Sequence, residues 1–306
     1  MTYTIDSARL CTTSDTSTRP AASRWRAGLL TTSALAGLML LGISAGGGSA
    51  LAQNACTDGT GSNSLRCGDS ATATGGNSTA VGDNAQANND NATALGEAST
   101  ANAQNGTAVG QSSNAGNDGA VAVGFTATAN GANSTAIGRA SNASQPNSTA
   151  TGSGSTANAS GATATGAGAQ ATVANATATG RNAEASGANS TATGQGAIAN
   201  ADATTATGKS AEASGANSTA TGQSAVADDD NTTASGQGAM ATDENASAFG
   251  QGANASADNA TAAGQNAQAS GSESSAYGQD AIASGISGTA LGQGAMAIND
   301  NATATG

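Results

Sequence analysis

The chain has 306 residues and a formal net charge of −12, yet only 9% of its residues are charged, 2% are aromatic and histidine is absent. A conventional globular core is built from Leu, Ile, Val and Phe, whereas nearly all of the apolar share here is alanine. The composition excludes His-based catalysis, an imidazole switch near neutrality and most zinc sites, and the acidic balance repels nucleic acid and anionic lipid.

In chain order, Arg24, Trp25 and Arg26 precede an apolar run over 27–45, and the triplet Ala50-Leu51-Ala52 stands just before Gln53. A positive flank, an apolar run and an A-x-A site predict a secretory signal peptide over residues 1–52, with a long n-region. The alternative, an uncleaved membrane anchor, is disfavoured because Thr31, Thr32, Ser33 and Gly37 interrupt the run. The stretch before Arg24 is either an extended export signal or a misassigned start. Removal of this segment leaves four basic and eighteen acidic residues.

Residues 53–67 form an expected N-terminal cap. Cys56 and Cys67 bracket a loop rich in Gly, Ser and Asn, while Cys11 lies in the removed part. In an oxidising compartment the first two can form one disulfide that fixes the cap; the alternative is two unpaired thiols, and two sulfurs alone are too few for a metal site.

From Gly82 to Gly306 a glycine recurs every fourteen residues without insertion or deletion, through Gly96, Gly110, Gly138 and Gly194 among others, and Gly68 extends the register by one step. A fixed short period implies identical coils stacked along an axis. A disordered secreted spacer of the same composition is the alternative, but flexible linkers do not hold a register.

Counting from each glycine, the third residue is Ala or Ser, the fifth is alanine (Ala87, Ala199) and the twelfth is alanine (Ala80, Ala136, Ala192). Three small positions per coil imply a narrow interior that a larger side chain would overpack. The eleventh residue is nearly always threonine. The thirteenth varies: Val81, Leu95, Val109, Val123, Ile137, a block of threonines from Thr151 to Thr221, then Ser235, Phe249, Ala263, Tyr277, Leu291 and Thr305. Positions eleven and thirteen share a strand face opposite the twelfth, and the third-to-fifth stretch suits a second short strand. The glycine permits a positive φ at one corner, and Asn, Asp and Gly at positions six to nine make the other turn. The fold class that follows is all-β: a parallel β-solenoid of about seventeen coils, spaced about 4.8 Å apart and so reaching about 80 Å.

The Val, Leu, Ile, Phe and Tyr residues at position thirteen form a stripe that either turns into the coil or faces a partner chain. A stripe of that length outside the coil predicts self-association, and cyclic association of identical chains covers it.

The segments NSTAVG at 77–82 and NSTAIG at 133–138, each followed by A-x-A or S-x-A, resemble the YadA-like head repeat of trimeric autotransporter adhesins over about residues 68–306. The resemblance implies a left-handed parallel β-roll assembled as a homotrimer on the bacterial outer surface, attaching to host matrix, to cells or to other bacteria. It also implies a neck, a heptad-patterned stalk and a β-barrel membrane anchor, none of which follows Gly306 in the sequence given. The family usually has Ile or Val where this chain has its threonine block.

That block supports an alternative. Thr149 and Thr151 with their equivalents through Thr219 and Thr221 would stack as two ladders, which resemble ice-binding faces. Against it stand Phe249, Tyr277 and Leu291 at the same position in other coils; threonine as the strand-forming residue of a polar roll is the plainer account.

Other chemistry is set aside. Asp228, Asp229, Asp230, Asp243 and Glu244 lie in expected turns as solvated acids, without the recurrence a calcium roll needs. Triplets such as Asn77-Ser78-Thr79 and Asn91-Ala92-Thr93 match the N-glycosylation acceptor but follow from composition. Gly46-Gly47-Gly48 lacks a P-loop lysine, and no serine has a histidine partner. The chain is read as a non-enzymatic adhesin head without cofactors.

Overall fold

The computed structural model describes residues 56–306; the expected signal peptide over 1–52 and the first residues of the expected cap lie outside them. Among the described residues every regular element is a strand of two or three residues, with no helix. The first four are β1 (Thr57–Asp58), β2 (Leu65–Cys67), β3 (Thr72–Ala73) and β4 (Thr79–Val81), and the last is β36 (Thr303–Thr305).

After β1, three-residue and two-residue strands alternate, and each pairs in parallel with its equivalent fourteen residues away. Thr79, Ala80 and Val81 lie opposite Thr93, Ala94 and Leu95, and Gln86 and Ala87 lie opposite Thr100 and Ala101. The three-residue strands make a broad sheet along one side of the solenoid, and the two-residue strands a narrow sheet along the other. The disordered-spacer alternative is thereby replaced by a hydrogen-bonded parallel β-solenoid.

The ladders run in both directions along the stack. Gly96 N donates to Val81 O at 2.7 Å, Thr79 N to Ala92 O at 2.9 Å, and Thr100 N to Ser113 O at 2.8 Å. Backbone groups therefore find their partners in adjacent coils, and a chain with few large side chains satisfies its polar main chain by stacking.

The interior is alanine. Ala80, Ala87, Ala136, Ala192 and Ala199 have no exposed surface. A fourth interior position, the tenth, escaped the sequence reading: Ser78, Ala92, Ala120, Ser134 and Ser190 are buried there. Its occupants alternate between Ala, Ser, Thr and Gly, so no single residue type marks it.

Each coil is two similar halves of seven residues. Positions two and nine both have φ near +55°, as at Asn84 (56°), Asn182 (54°), Asn77 (55°) and Asn189 (56°). Small buried residues follow each of them at positions three and ten, and the invariant alanines come at five and twelve. Asparagine tolerates the left-handed region better than most residues, which explains its enrichment at position nine. At position two the same conformation is carried by Ala98, Thr126 and Ala140 as well, so that corner was not legible.

The fourteenth residue needs glycine for two reasons. Gly194 has φ +139°, and a Cβ there would stand 2.3 Å from Gly208 O of the next coil. The same close approach is met at Gly82, Gly96, Gly110 and Gly138.

At the N-terminal end β1 runs antiparallel to β2, with Thr57 opposite Arg66, and Cys56 and Cys67 are joined by a disulfide. Gly59 N donates to Ser64 O at 3.0 Å and Thr60 N to Ala73 O at 2.9 Å, so this segment covers the first edge of both sheets.

Candidate functional surface

Strand geometry decides what the solenoid presents outward. In each three-residue strand from β4 onward the central alanine points inward, so its neighbours at positions eleven and thirteen point out on one face. The stripe therefore does not turn into the coil, where alanine already fills the space. Phe249, Tyr277 and Leu291 are 45%, 43% and 42% exposed, Leu95 and Ile137 are also exposed, and Val81, Val109 and Val123 are half-buried between neighbouring ranks.

Along this face the stripe is continuous in register. Val81, Leu95, Val109, Val123 and Ile137 are successive partners, as are Phe249, Ala263, Tyr277 and Leu291. Between the two apolar runs lie six threonine ranks from Thr149 and Thr151 to Thr219 and Thr221, also paired in register. No charged residue occupies position eleven or thirteen in any coil from Thr79 to Thr305.

The opposite face is different. On the narrow sheet, positions four and six carry Glu184, Glu212 and Asp228 together with Asn, Thr and Gln. Apolar residues that the sequence reading did not single out are exposed away from the stripe, namely Phe125, Met240, Ile286, Met296 and Ile298. They stand in columns that are polar in most coils, so periodicity gave no signal for them. A shallow, open polar groove of about 630 Å³ follows the turn between the two sheets, lined by Asn88, Asn89, Asp90, Asn102, Gln104 and Asp118 among others.

Several acids in the turns do more than face solvent. Asp90 Oδ1 accepts from Gly76 N at 2.7 Å, Asp202 Oδ1 from Ala188 N at 2.9 Å, Asp230 Oδ1 from Ala216 N at 2.8 Å and Asp300 Oδ1 from Ile286 N at 3.0 Å. Each carboxylate satisfies a corner N–H of the preceding coil, a charge-assisted bond that ties neighbours together. Asp229 Oδ1 accepts from Asp230 N. Of the acids expected to be solvated, Asp229 and Asp230 are exposed and also accept these backbone bonds. Among the described residues no three potential metal-ligating side chains gather.

Other side chains form rows between coils. Asn77 Nδ2 donates to Asn91 Oδ1 at 3.4 Å, Asn91 Nδ2 to Asn105 Oδ1 at 3.1 Å, and Gln251 Nε2 to Gln237 Oε1 at 3.4 Å. The surface is a set of parallel columns whose positions repeat at the coil spacing while their side chains vary from coil to coil.

The repeat itself is shared with known proteins. The family description "YadA head domain repeat" matches in successive stretches from 68–85 to 283–306, leaving 156–184 and the single residues 212 and 282 unmatched. The unmatched coils keep the same strand register as the rest. No curated protein matches with significance. Among solved structures, the collagen-binding domain of the Yersinia adhesin YadA is similar at 24% identity with a TM-score of 0.28, covering 48% of this chain and 66% of that one. By the extent and regularity of its repeats, the chain belongs to the YadA head domain repeat family.

Proposed function

We propose that this chain is the head of a bacterial surface adhesin, exported through residues 1–52 and assembled as a homotrimer whose outward turns attach to host matrix, to cells or to other bacteria. Membership of the YadA head family supports an adhesin-like role. The observation that carries the assembly is the outward face of the broad sheet, free of charge in every coil and apolar at both ends on a chain rich in acids. A face like that is expected to be covered, and identical chains joined by cyclic symmetry cover it along their whole length.

Recognition is spread over repeated corners rather than held in a pocket. Each contact is weak, and many equivalent contacts along several copies multiply into avidity.

The test combines mass and attachment. Light scattering on the purified exported chain at micromolar concentration is expected to give three times the chain mass, and the same preparation is expected to bind immobilised matrix proteins or intact cells. A single-chain mass overturns the assembly; a trimer that attaches to none of these surfaces overturns the adhesin reading.

A further inference from the structure

We propose that Phe249, Ala263 and Tyr277 act as a register key in the copy–copy interface: two aromatic layers kept apart by one small layer. The proposal rests on the reading of the broad sheet's outer face as the surface that copies share. It concerns which residues fix how the copies line up.

Three observations converge. First, the sequence of side chains at position thirteen is smooth almost everywhere, with Val, Leu and Ile in the early coils and threonine in the middle ones. Ala263 is the single alanine at this position among the described coils, and it stands between the two aromatic residues. Phe249 pairs in register with Ala263, and Ala263 with Tyr277.

Second, the companion residue on the same face changes with it. Position eleven is threonine in nearly every coil, and the only serines there are Ser247 and Ser275, in the same strands as Phe249 and Tyr277. The coil between them has Thr261 beside Ala263. The two aromatic residues at thirteen go with the two serines at eleven, whereas Leu95, Ile137 and Leu291 keep threonine beside them and Ala263 does the same. At the two aromatic ranks alone the neighbour is reduced, as volume compensation on a packed surface requires.

Third, the face carries no charge, and both aromatic residues stand exposed on the single chain.

Closure explains why a spacer is needed. In a cyclic assembly equal ranks of every copy meet at the same height, because a slip of one coil makes a head-to-tail contact that does not close. Ranks are only about 4.8 Å apart. Aromatic rings converging from all copies at one rank meet edge to face, which tilts some of them so that they stand taller than that spacing. Two such layers on consecutive ranks would collide. The Ala263 layer leaves the room, and a slip of one coil sets the aromatic layer of one copy against the alanine layer of the next.

The experiment compares three forms of the full chain purified after export: the parent, Ala263→Phe, and Ala263→Phe combined with Phe249→Ala and Tyr277→Ala, which restores a large layer between small ones. Mass is measured by light scattering across a dilution series, with circular dichroism to follow the coil fold. Ala263→Phe is expected to keep the β-solenoid signal but to weaken assembly about tenfold or more. The triple variant is expected to recover most of that loss. If the parent assembles and Ala263→Phe assembles equally well, the key is overturned while the shared face stands. If Ala263→Phe is weakened and the triple variant is not rescued, generic crowding replaces the key. If the parent is a single chain, the shared face and the key fall together. On an uncovered face a third adjacent aromatic residue would extend a stack and leave mass and melting unchanged, so the two situations give opposite results.

Discussion

A single methyl group sets the size of the interior. Ala192 is buried with alanines above and below it, Ala178 and Ala206, in strict register. Replacement by leucine forces three extra carbons into a space closed by backbone on both sides; overpacking of that kind costs about 1–3 kcal/mol and often more where neighbours cannot move. Thermal unfolding of Ala192→Leu should show a clear loss of melting temperature, and an unchanged one would contradict the narrow interior. Gly194→Ala combines a φ of +139° with a clash on the next coil's carbonyl. It should be at least as damaging, by about 1–3 kcal/mol, whereas the same change at Gly154, where a Cβ would meet nothing within 4 Å, should cost less. Interior hydroxyls also differ: Ser78 Oγ donates to Gly75 O at 2.7 Å, while Ser190 Oγ has no partner. Ser78→Ala is therefore expected to cost about 1 kcal/mol in denaturant titrations, and Ser190→Ala to be neutral or stabilising.

At the level of strands and turns, much of the coil was legible because its constraints act on residue identity. Ala87 and Ala192 are invariant types since nothing larger fits, and Gly194 since nothing else fits its corner. The tenth position and the left-handed second position were hidden because several small or polar residues satisfy each. The direction of the stripe was left open by the residues and follows from the alternation around the inward alanine. The role of Asp90 and Asp230 could not be read either, since it depends on which N–H of the coil before is left bare. At the N-terminal end, the disulfide closes a short loop with a sequence separation of 11. Closing a loop of this size removes about 2–3 kcal/mol of unfolded-chain entropy in the loop-closure picture. Cys67→Ser should raise amide exchange over residues 57–81 and leave the central coils near their original protection; uniform loss of protection would argue against a local clip.

For the described solenoid as a body, each coil touches only its neighbours, so stability is a sum of near-equal steps along one axis. The threonine ranks and the apolar ranks lie on one continuous face, and a face covered by copies as proposed is unavailable to an ice lattice. Purified chain is accordingly expected to give no thermal hysteresis; a measurable gap between melting and freezing points would make the threonine ladders a working surface and remove the shared interface. In the proposed adhesin role, attachment to matrix or cells measured on truncated chains should grow steeply with the number of coils retained, because repeated contacts multiply into avidity.

The unbroken fourteen-residue spacing also bears on inheritance. Every joint between coils is interchangeable, since Gly180 and Gly194 meet their neighbours through the same bonds. Excision of residues 181–194 should leave a folded protein shorter by one rank, about 4.8 Å, and tandem duplication should lengthen it by the same step. A gene of this kind can be reset in reach by unequal crossing-over among its own copies, in whole quanta, with no new fold to be found at either length.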